Sequence, residues 1–304
     1  MNEDRAVNEY RISSGEYSAV ITARAAALRE LRHRERDLVV PFPAGGPIPD
    51  FRGIIAAPWP NRIADGRYIF DGVEYQVPLN EPGRGCALHG FVFGLDWTLE
   101  TRDESAVTLS CSPEPTAGYP HALRIAVEYR LTEAGLRIGV TAANMGGTAA
   151  PYGVCPHPYL VAGPSPLDQW ILEIPAGAFL EVTPDRLLPT ETRSVEGHAF
   201  DFRSPRAIGA TAIDHAFTQL AFDDGGQASV LVRDPGGTGV GMSWDRSCRW
   251  LQIHTADKEP PAANRLGLAV EPMSCPPDAF NSGTDLVRLE AGATHSTAWT
   301  IFAV

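Results

Sequence analysis

Apolar and polar residues alternate along much of the chain. Between residues 123 and 131 every second position is apolar, and residues 136–142 repeat this alternation after a short turn. A period of two is typical of a strand with one face buried and the other in solvent. The two segments are therefore predicted to form an antiparallel hairpin.

A second hairpin is predicted where residues 67–70 and 74–77 flank the pair Asp71-Gly72. This pair favours a type I′ turn, because both central positions of that turn need a positive φ. Further segments have the pattern of a strand: 17–22, 37–40, 97–102, 106–111, 170–174, 179–183, 217–222, 229–233, 240–244, 250–255, 268–271, 286–289 and 296–303.

Glycine and proline separate these segments at short intervals, and no helical period persists between them. Such spacing is typical of a sandwich or barrel and not of βαβ units. The sequence therefore predicts a single all-β domain over residues 1–304, built as a large antiparallel β-sandwich with few short helices.

Composition narrows the range of partners. Acidic residues outnumber basic ones by 37 to 25, which disfavours binding to nucleic acid or to an anionic membrane surface. Residues 1–15 lack the apolar core of a secretory signal, and no apolar run reaches the roughly 20 residues that span a bilayer. The five scattered cysteines fit a reducing compartment. We expect a soluble cytoplasmic protein, monomeric or homodimeric, with a small-molecule partner.

Two residues are candidates for acid–base chemistry. Glu271 follows an apolar, strand-like stretch and precedes a proline-rich run, so rigid backbone holds it where it can accept a proton. His157 lies between Pro156 and Pro158, and imidazole titrates near neutrality, which suits a general acid. A surface ion pair for Glu271 and a structural hydrogen bond for His157 are the alternatives.

Five polar segments stand in a fixed order along the chain: Asn61-Arg62-Ile63, Leu88-His89-Gly90, His157-Pro158-Tyr159, Asp214-His215-Ala216-Phe217 and the run from Glu271 to Asn281. Together they resemble the aldose 1-epimerases, also called galactose mutarotases. The resemblance covers most of the chain. It implies a galactose mutarotase-like supersandwich with an open sugar-binding cleft on one sheet.

The resemblance also implies an activity and a set of site residues. In the family pattern Glu271 is the base and His157 the acid that interconvert the α and β anomers of a hexose such as galactose or glucose. Four further positions would bind the sugar: Arg62, His89, Asp214 and Gln252. The chain departs from the family pattern at Leu160, where phenylalanine is usual, and at His254, where an aromatic residue is usual.

No cofactor is expected, because opening and reclosing a sugar ring needs neither a metal nor a nucleotide. The sequence contains no His-Glu-x-x-His motif and no phosphate-binding loop. A monosaccharide is therefore the partner that the resemblance implies.

Three alternatives stay open. The same chemistry could act on a sulfonated or phosphorylated aldose, with residues 45–52 as a selective rim. A non-catalytic sugar-binding protein is disfavoured, because binding alone needs no proton-transfer pair. A glycoside-cleaving enzyme would need Glu271 and Asp214 to face each other across the scissile bond, about 5–10 Å apart.

Single positions have alternatives of their own. Arg62 could instead form a salt bridge that ties its loop to the sheet, and Asp214 could be a turn residue. His215 need not reach the cleft, because strand neighbours point to opposite sides, and it is assigned no role. Cys155 and Cys275 are interpreted as buried apolar residues and not as nucleophiles.

Overall fold

The computed structural model describes residues 8–259 and 264–304. The strands in these ranges are β1 (Glu9–Ser14), β2 (Tyr17–Thr22), β3 (Leu28–His33), β4 (Arg36–Asp37), β5 (Ile55–Ala56), β6 (Arg62–Ala64), β7 (Arg67–Phe70), β8 (Val73–Gln76), β9 (Cys86–Leu88), β10 (Thr98–Arg102), β11 (Ala106–Cys111), β12 (Leu123–Thr132), β13 (Gly135–Asn144), β14 (Ala150–Tyr152), β15 (Cys155–Pro156), β16 (Tyr159–Leu160), β17 (Ile171–Glu173), β18 (Ala176–Val182), β19 (Pro189–Ser194), β20 (Arg206–Ala207), β21 (Asp214–Leu220), β22 (Gln227–Arg233), β23 (Gly239–Asp245), β24 (Trp250–His254), β25 (Leu268–Met273), β26 (Val287–Leu289) and β27 (Thr294–Ala303).

Helices are few and short in the described ranges. The 3₁₀ helices cover Pro49–Phe51, Pro82–Arg84, Val92–Gly94 and Leu167–Gln169, and the α-helix α1 covers Ala279–Ser282. No helix there combines the length and the apolar character that crossing a membrane requires. The single-domain extent, the cytoplasmic location and the oligomeric state stay predictions.

Two antiparallel sheets dominate the architecture. The larger has nine strands in the order β10-β11-β12-β13-β27-β23-β22-β17-β20, and the second has six in the order β16-β25-β24-β21-β18-β19. Their inward-facing apolar side chains form one buried cluster, to which the first sheet contributes Val127, Ile138 and Trp299 and the second Phe217, Ile253 and Val270. Burying both inner faces in one core makes the molecule a β-sandwich.

The all-β prediction and both predicted hairpins are confirmed. Strands β12 and β13 pair along their whole length and end at Thr132 opposite Gly135. Strands β7 and β8 pair up to Phe70 opposite Val73, and φ is 49° at Asp71 and 78° at Gly72. Both angles are positive, as a type I′ turn requires.

The predicted strand at residues 37–40 is wrong. Strand β4 ends at Asp37, and the chain then crosses to the six-stranded sheet, where Val40 N donates to Tyr159 O at 2.8 Å. The sequence also missed several strands, among them the six-residue strands β1, β3 and β19. In β3 the buried Leu28 and Leu31 are three residues apart because a β-bulge interrupts its pairing with β2. Strand β19 is almost wholly polar and exposed, so it shows no alternation.

Candidate active site

Three neighbouring strands of the six-stranded sheet form the floor of a cleft of about 200 Å³. In β24, Leu251 and Ile253 point into the core, which turns Gln252 and His254 toward the cleft. The cleft is lined by Asp50, Phe51, Asn61, Arg62, Leu88, His89, His157, Tyr159, Asp214, Gln252, His254, Lys258 and Glu271.

Strand register places the floor side chains next to one another. Gln252 of β24 pairs with Glu271 of β25, and His254 pairs with Asp214 of β21. Paired residues of antiparallel strands share a face. Gln252 Nε2 donates to Asp214 Oδ1 at 2.7 Å, and His254 Nδ1 lies 3.8 Å from Asp214 Oδ2. Two neighbours therefore fix the orientation of the Asp214 carboxylate.

A second, extended segment brings Cys155, His157 and Tyr159 toward the same region. Alternate residues of an extended chain share a face, so the intervening prolines point the other way. Backbone hydrogen bonds fix the segment: His157 N donates to Ile54 O at 3.1 Å, and Gly53 N donates to His157 O at 2.8 Å. The alternation explains how one short stretch delivers three side chains to a single site.

Glu271 and His157 are in direct contact and almost fully buried. Glu271 Oε1 lies 3.4 Å from His157 Nε2, and Cys155 Sγ donates a hydrogen bond to Glu271 Oε2 at 3.7 Å. Burial raises the pKa of Glu271 well above its ordinary value, and the charge of Asp214 acts in the same direction. Burial lowers the pKa of His157 to about 4, with His254 also lowering it. Burial of the two groups therefore favours a neutral carboxyl beside a neutral imidazole.

His89 forms the wall beside this pair. Its ring meets the ring of His157 edge-on, with centroids 4.8 Å apart, and burial lowers the pKa of His89 well below its ordinary value. Gly90 follows with a φ of 69°, and a Cβ at this position would lie 1.9 Å from Ala57 O. Only glycine allows the two backbones to approach this closely, and that approach places His89.

Arg62 lines the cleft and also makes the predicted salt bridge. Its Nε lies 2.7 Å from Glu81 Oε2 and its Nη2 lies 2.9 Å from Glu81 Oε1, a bidentate pair. Its third nitrogen is 3.4 Å from Asn61 Oδ1. The guanidinium is consequently held rigidly. A salt bridge and a place in the cleft, the two interpretations of Arg62 from the sequence, are therefore compatible.

Asp50 and Phe51 form the rim. The Asp50 carboxylate bonds Lys258 and, at 3.1 Å, Arg52, and so connects two segments that border the cleft. The ring of Phe51 lies 5.0 Å from that of His89. Asp50 and Phe51 have positive φ values of 53° and 57°. Strained non-glycine residues of this kind concentrate at functional sites.

The structure brings the six sequence-predicted site residues together around the cleft: Glu271, His157, Arg62, His89, Asp214 and Gln252. Their roles stay predictions. His254 also reaches the cleft, whereas His215 packs against Phe179 and Phe200, as expected for its face of the strand.

Sequence reasoning missed two residues of the cleft, Phe51 and Lys258. It also gave Cys155 no role beyond packing, although its thiol donates to Glu271. Phe51 lies within the rim proposed at residues 45–52, so that segment was a usable signal. Lys258 lies in no recognisable sequence pattern, so nothing in the sequence indicated that it lines the cleft.

His89, His157 and Glu271 could together hold a metal ion. Each offers one ligand atom, and these atoms lie within 4.8 Å of one another. Two histidines and a glutamate form a ligand set that binds zinc in some enzymes. The expectation of metal-free chemistry therefore stays a prediction.

Solved structures share this fold over nearly the whole chain. An aldose epimerase homologue from C. elegans has a TM-score of 0.85 at 21% identity, covering 98% of this chain and 99% of that one. A galactose 1-epimerase from Lactobacillus acidophilus has a TM-score of 0.83 at 16% identity, covering 100% and 96%. At these identities the likeness establishes the galactose mutarotase-like fold.

Sequence relatives identify the family. The uncharacterized protein YihR of Escherichia coli K12 is 36% identical over 293 residues, which cover 96% of this chain and 92% of that protein. The galactose mutarotase of Rattus norvegicus is 36% identical over 157 residues, 49% of this chain and 44% of that protein. The family model described as aldose 1-epimerase matches residues 8–302. The chain belongs to the aldose 1-epimerase family.

Proposed function

We propose that the protein is a cofactor-independent mutarotase, which interconverts the α and β anomers of a hexose such as galactose or glucose. The observation that carries the proposal is the contact between Glu271 Oε1 and His157 Nε2, 3.4 Å apart within the cleft. Membership of the aldose 1-epimerase family supports an isomerase. The identity of the sugar belongs to the proposal.

The reaction needs two proton transfers, and the site has two adjacent groups for them. Ionised Glu271 takes the proton of the anomeric hydroxyl, while protonated His157 gives a proton to the ring oxygen. The bond between C1 and the ring oxygen breaks, and C1 becomes an aldehyde. Rotation about C1–C2 and reclosure, with both proton transfers reversed, give the other anomer. The enzyme returns to its starting protonation state.

Groups around the pair are suited to holding sugar hydroxyls. Within the described ranges, His89 Nδ1 and Gln252 Oε1 are buried and have no hydrogen-bond partner in the protein. Buried polar atoms without partners are costly, and a bound sugar would satisfy them. Asp214, oriented by Gln252, accepts hydrogen bonds from adjacent hydroxyls. Arg62 adds a fixed positive charge.

Polarimetry tests the proposal. The protein should speed the change in optical rotation of freshly dissolved α-D-glucose and α-D-galactose. Glu271→Gln should lower kcat by about 10²- to 10⁴-fold, the usual contribution of a general base, and change sugar affinity little. His157→Asn should also lower kcat more than it changes KM. The exposed Glu74→Gln is the matched control, with the same change at a site outside the cleft. Near-normal turnover by Glu271→Gln would overturn the assignment.

One observation favours a charged aldose as the second candidate. Lys258 lines the cleft and Arg52 lies beside it, although both bond Asp50. A phosphorylated or sulfonated hexose could displace Asp50 from these cations. In that case kcat/KM should be higher for the anionic sugar than for glucose, should fall with added salt, and should drop selectively in Lys258→Met. Binding without any acceleration, in calorimetry, would instead indicate a sugar-binding protein.

A further inference from the structure

The cleft presents little apolar surface. Among the described residues that line it, Phe51 and Leu88 are the apolar ones, and Leu88 is buried whereas Phe51 is partly exposed. The phenol ring of Tyr159 is buried as well. A pyranose has two faces of carbon-bound hydrogens, and aromatic rings pack well against such apolar faces. In the described part of the cleft, Phe51 is therefore the residue best placed to contact a face of the sugar.

Backbone hydrogen bonds hold Phe51 beside His157. Ile54 N donates to Phe51 O at 3.3 Å, and His157 N donates to Ile54 O at 3.1 Å. The rings of Phe51 and His157 have centroids 6.2 Å apart, and the ring of Phe93 meets that of Phe51 edge-on at 5.2 Å. The φ of 57° at Phe51 is unfavourable for a residue with a bulky side chain. Strain that is retained beside an acid–base pair indicates a role for the ring at the site.

The reaction restricts the face of the sugar against which this ring can lie. In the proposed function, on which this inference rests, His157 protonates the ring oxygen and Glu271 acts at O1. In the chair of a D-hexopyranose, O1 is axial on one face in the α anomer and equatorial in the β anomer. O1 therefore never projects from the opposite face. An aromatic ring held near C1 and the ring oxygen can stay in place for both anomers only on that opposite face.

The axial positions of C2 and C4 point out of this opposite face. Glucose has hydrogen at both positions, whereas galactose has an axial hydroxyl at C4 and mannose has one at C2. Such a hydroxyl would be pressed against the ring of Phe51 and would lose its water without gaining a hydrogen bond, which is costly. We infer that Phe51 packs against this face and makes the protein selective for glucose-configured aldoses, those whose hydroxyls at C2 and C4 are both equatorial.

Glucose, galactose and mannose provide matched substrates, because each of the last two differs from glucose at one carbon. We expect kcat/KM for mutarotation of glucose to exceed that of galactose and of mannose by about tenfold or more. Phe51→Gly removes the ring, and glycine adopts a φ of 57° without strain. In this variant the KM for glucose should rise about 3- to 10-fold, with kcat changed less than about threefold. The preference for glucose should fall to about threefold or less.

Two further variants separate the contact with sugar from a general effect on the fold. Phe51→Tyr keeps the aromatic face and should keep both the KM for glucose and the preference for glucose. Phe222→Gly removes a partly exposed phenylalanine outside the cleft and should change neither quantity. Equal kcat/KM values for the three sugars in the wild type, or an unchanged preference in Phe51→Gly, would overturn the inference.

The two proposals fail in different ways. A protein that accelerates glucose, galactose and mannose equally keeps the proposed function and loses the selectivity assigned to Phe51. A folded protein that accelerates none of the three loses the proposed function. Calorimetry with the same sugars then still decides the role of Phe51: tighter binding of glucose than of galactose, lost in Phe51→Gly and kept in Phe51→Tyr, supports it, and equal or absent binding refutes it.

Discussion

Replacing Glu271 with glutamine should stabilise the fold at neutral pH, by an amount that grows as the pH rises. Glu271 is 2% exposed, and burial raises its pKa well above the ordinary 4.5. In the unfolded chain the carboxyl ionises near 4.5, whereas in the folded protein it keeps its proton. The unfolded state then binds fewer protons, so the wild type loses stability between pH 4.5 and the folded-state pKa.

The change in the free energy of unfolding per pH unit determines how strongly Glu271→Gln stabilises the fold. Each pH unit within the window removes about 1.4 kcal/mol from the free energy of unfolding of the wild type. Glutamine has nearly the same shape and does not titrate, so Glu271→Gln lacks this contribution. The difference between the two proteins should rise by about 1.4 kcal/mol per pH unit and then level off. The pH at which it levels off measures the pKa of Glu271 in the folded protein.

Urea denaturation followed by the fluorescence of the six tryptophans measures the difference at a series of pH values from about 5 to about 8. The exposed Glu74→Gln controls for the change in net charge and should run parallel to the wild type. His157→Gln should show the opposite pH dependence of the free energy of unfolding relative to the wild type. Burial lowers the pKa of His157 to about 4, so the wild type loses stability as the pH falls below 6.5, and this variant should not. A constant difference between wild type and Glu271→Gln across the series would refute the reasoning, because it would mean that the buried carboxyl is already ionised.

Three further outcomes are expected. Cys155→Ala removes the S–H donor to the Glu271 carboxylate, which raises the pKa of Glu271 further, and should therefore move the basic limb of the kcat/KM profile to higher pH with little change in KM; an unmoved basic limb would contradict a positioning role for the thiol. Gly90→Ala should lower the free energy of unfolding by more than about 1 kcal/mol in urea titrations, because its Cβ would lie 1.9 Å from a carbonyl oxygen at a φ of 69°. Added Zn²⁺ should inhibit competitively with sugar by binding the three groups that lie within 4.8 Å, and a chelator alone should leave activity unchanged; inhibition insensitive to sugar would place the metal elsewhere.

The floor of the cleft was predictable because it lies on strands with a readable period. The apolar residues Leu251 and Ile253 indicate the buried face of β24, and Gln252 between them therefore lies on the other face. The family resemblance then placed Glu271 and Asp214 in the same cleft, and strand register confirms that they share a face with Gln252. Local periodicity and an ordered set of motifs were sufficient for this part.

The rim could not be predicted in the same way. Asp50 and Lys258 are far apart in the sequence and form an ion pair only in the folded chain. Neither lies in a stretch with alternating apolar and polar residues. Cys155 illustrates a different limit. Its burial was correctly expected, but burial alone cannot distinguish a packed thiol from one that donates a hydrogen bond to a carboxylate. Only the contact with Glu271 makes that distinction.

The protonation of the central pair adds a condition that the family pattern does not contain. In the proposed mechanism ring opening starts from ionised Glu271 and protonated His157, whereas burial favours the neutral form of both groups. The two forms carry the same number of protons, so pH cannot convert one into the other. The neutral form is also the state that the proposed mechanism reaches once the ring has opened. Hydrogen bonds from the bound sugar, above all from its anomeric hydroxyl to the carboxylate, must therefore supply the free energy that ionises the pair, and an enzyme built this way ionises its base mainly when a sugar is present to be opened.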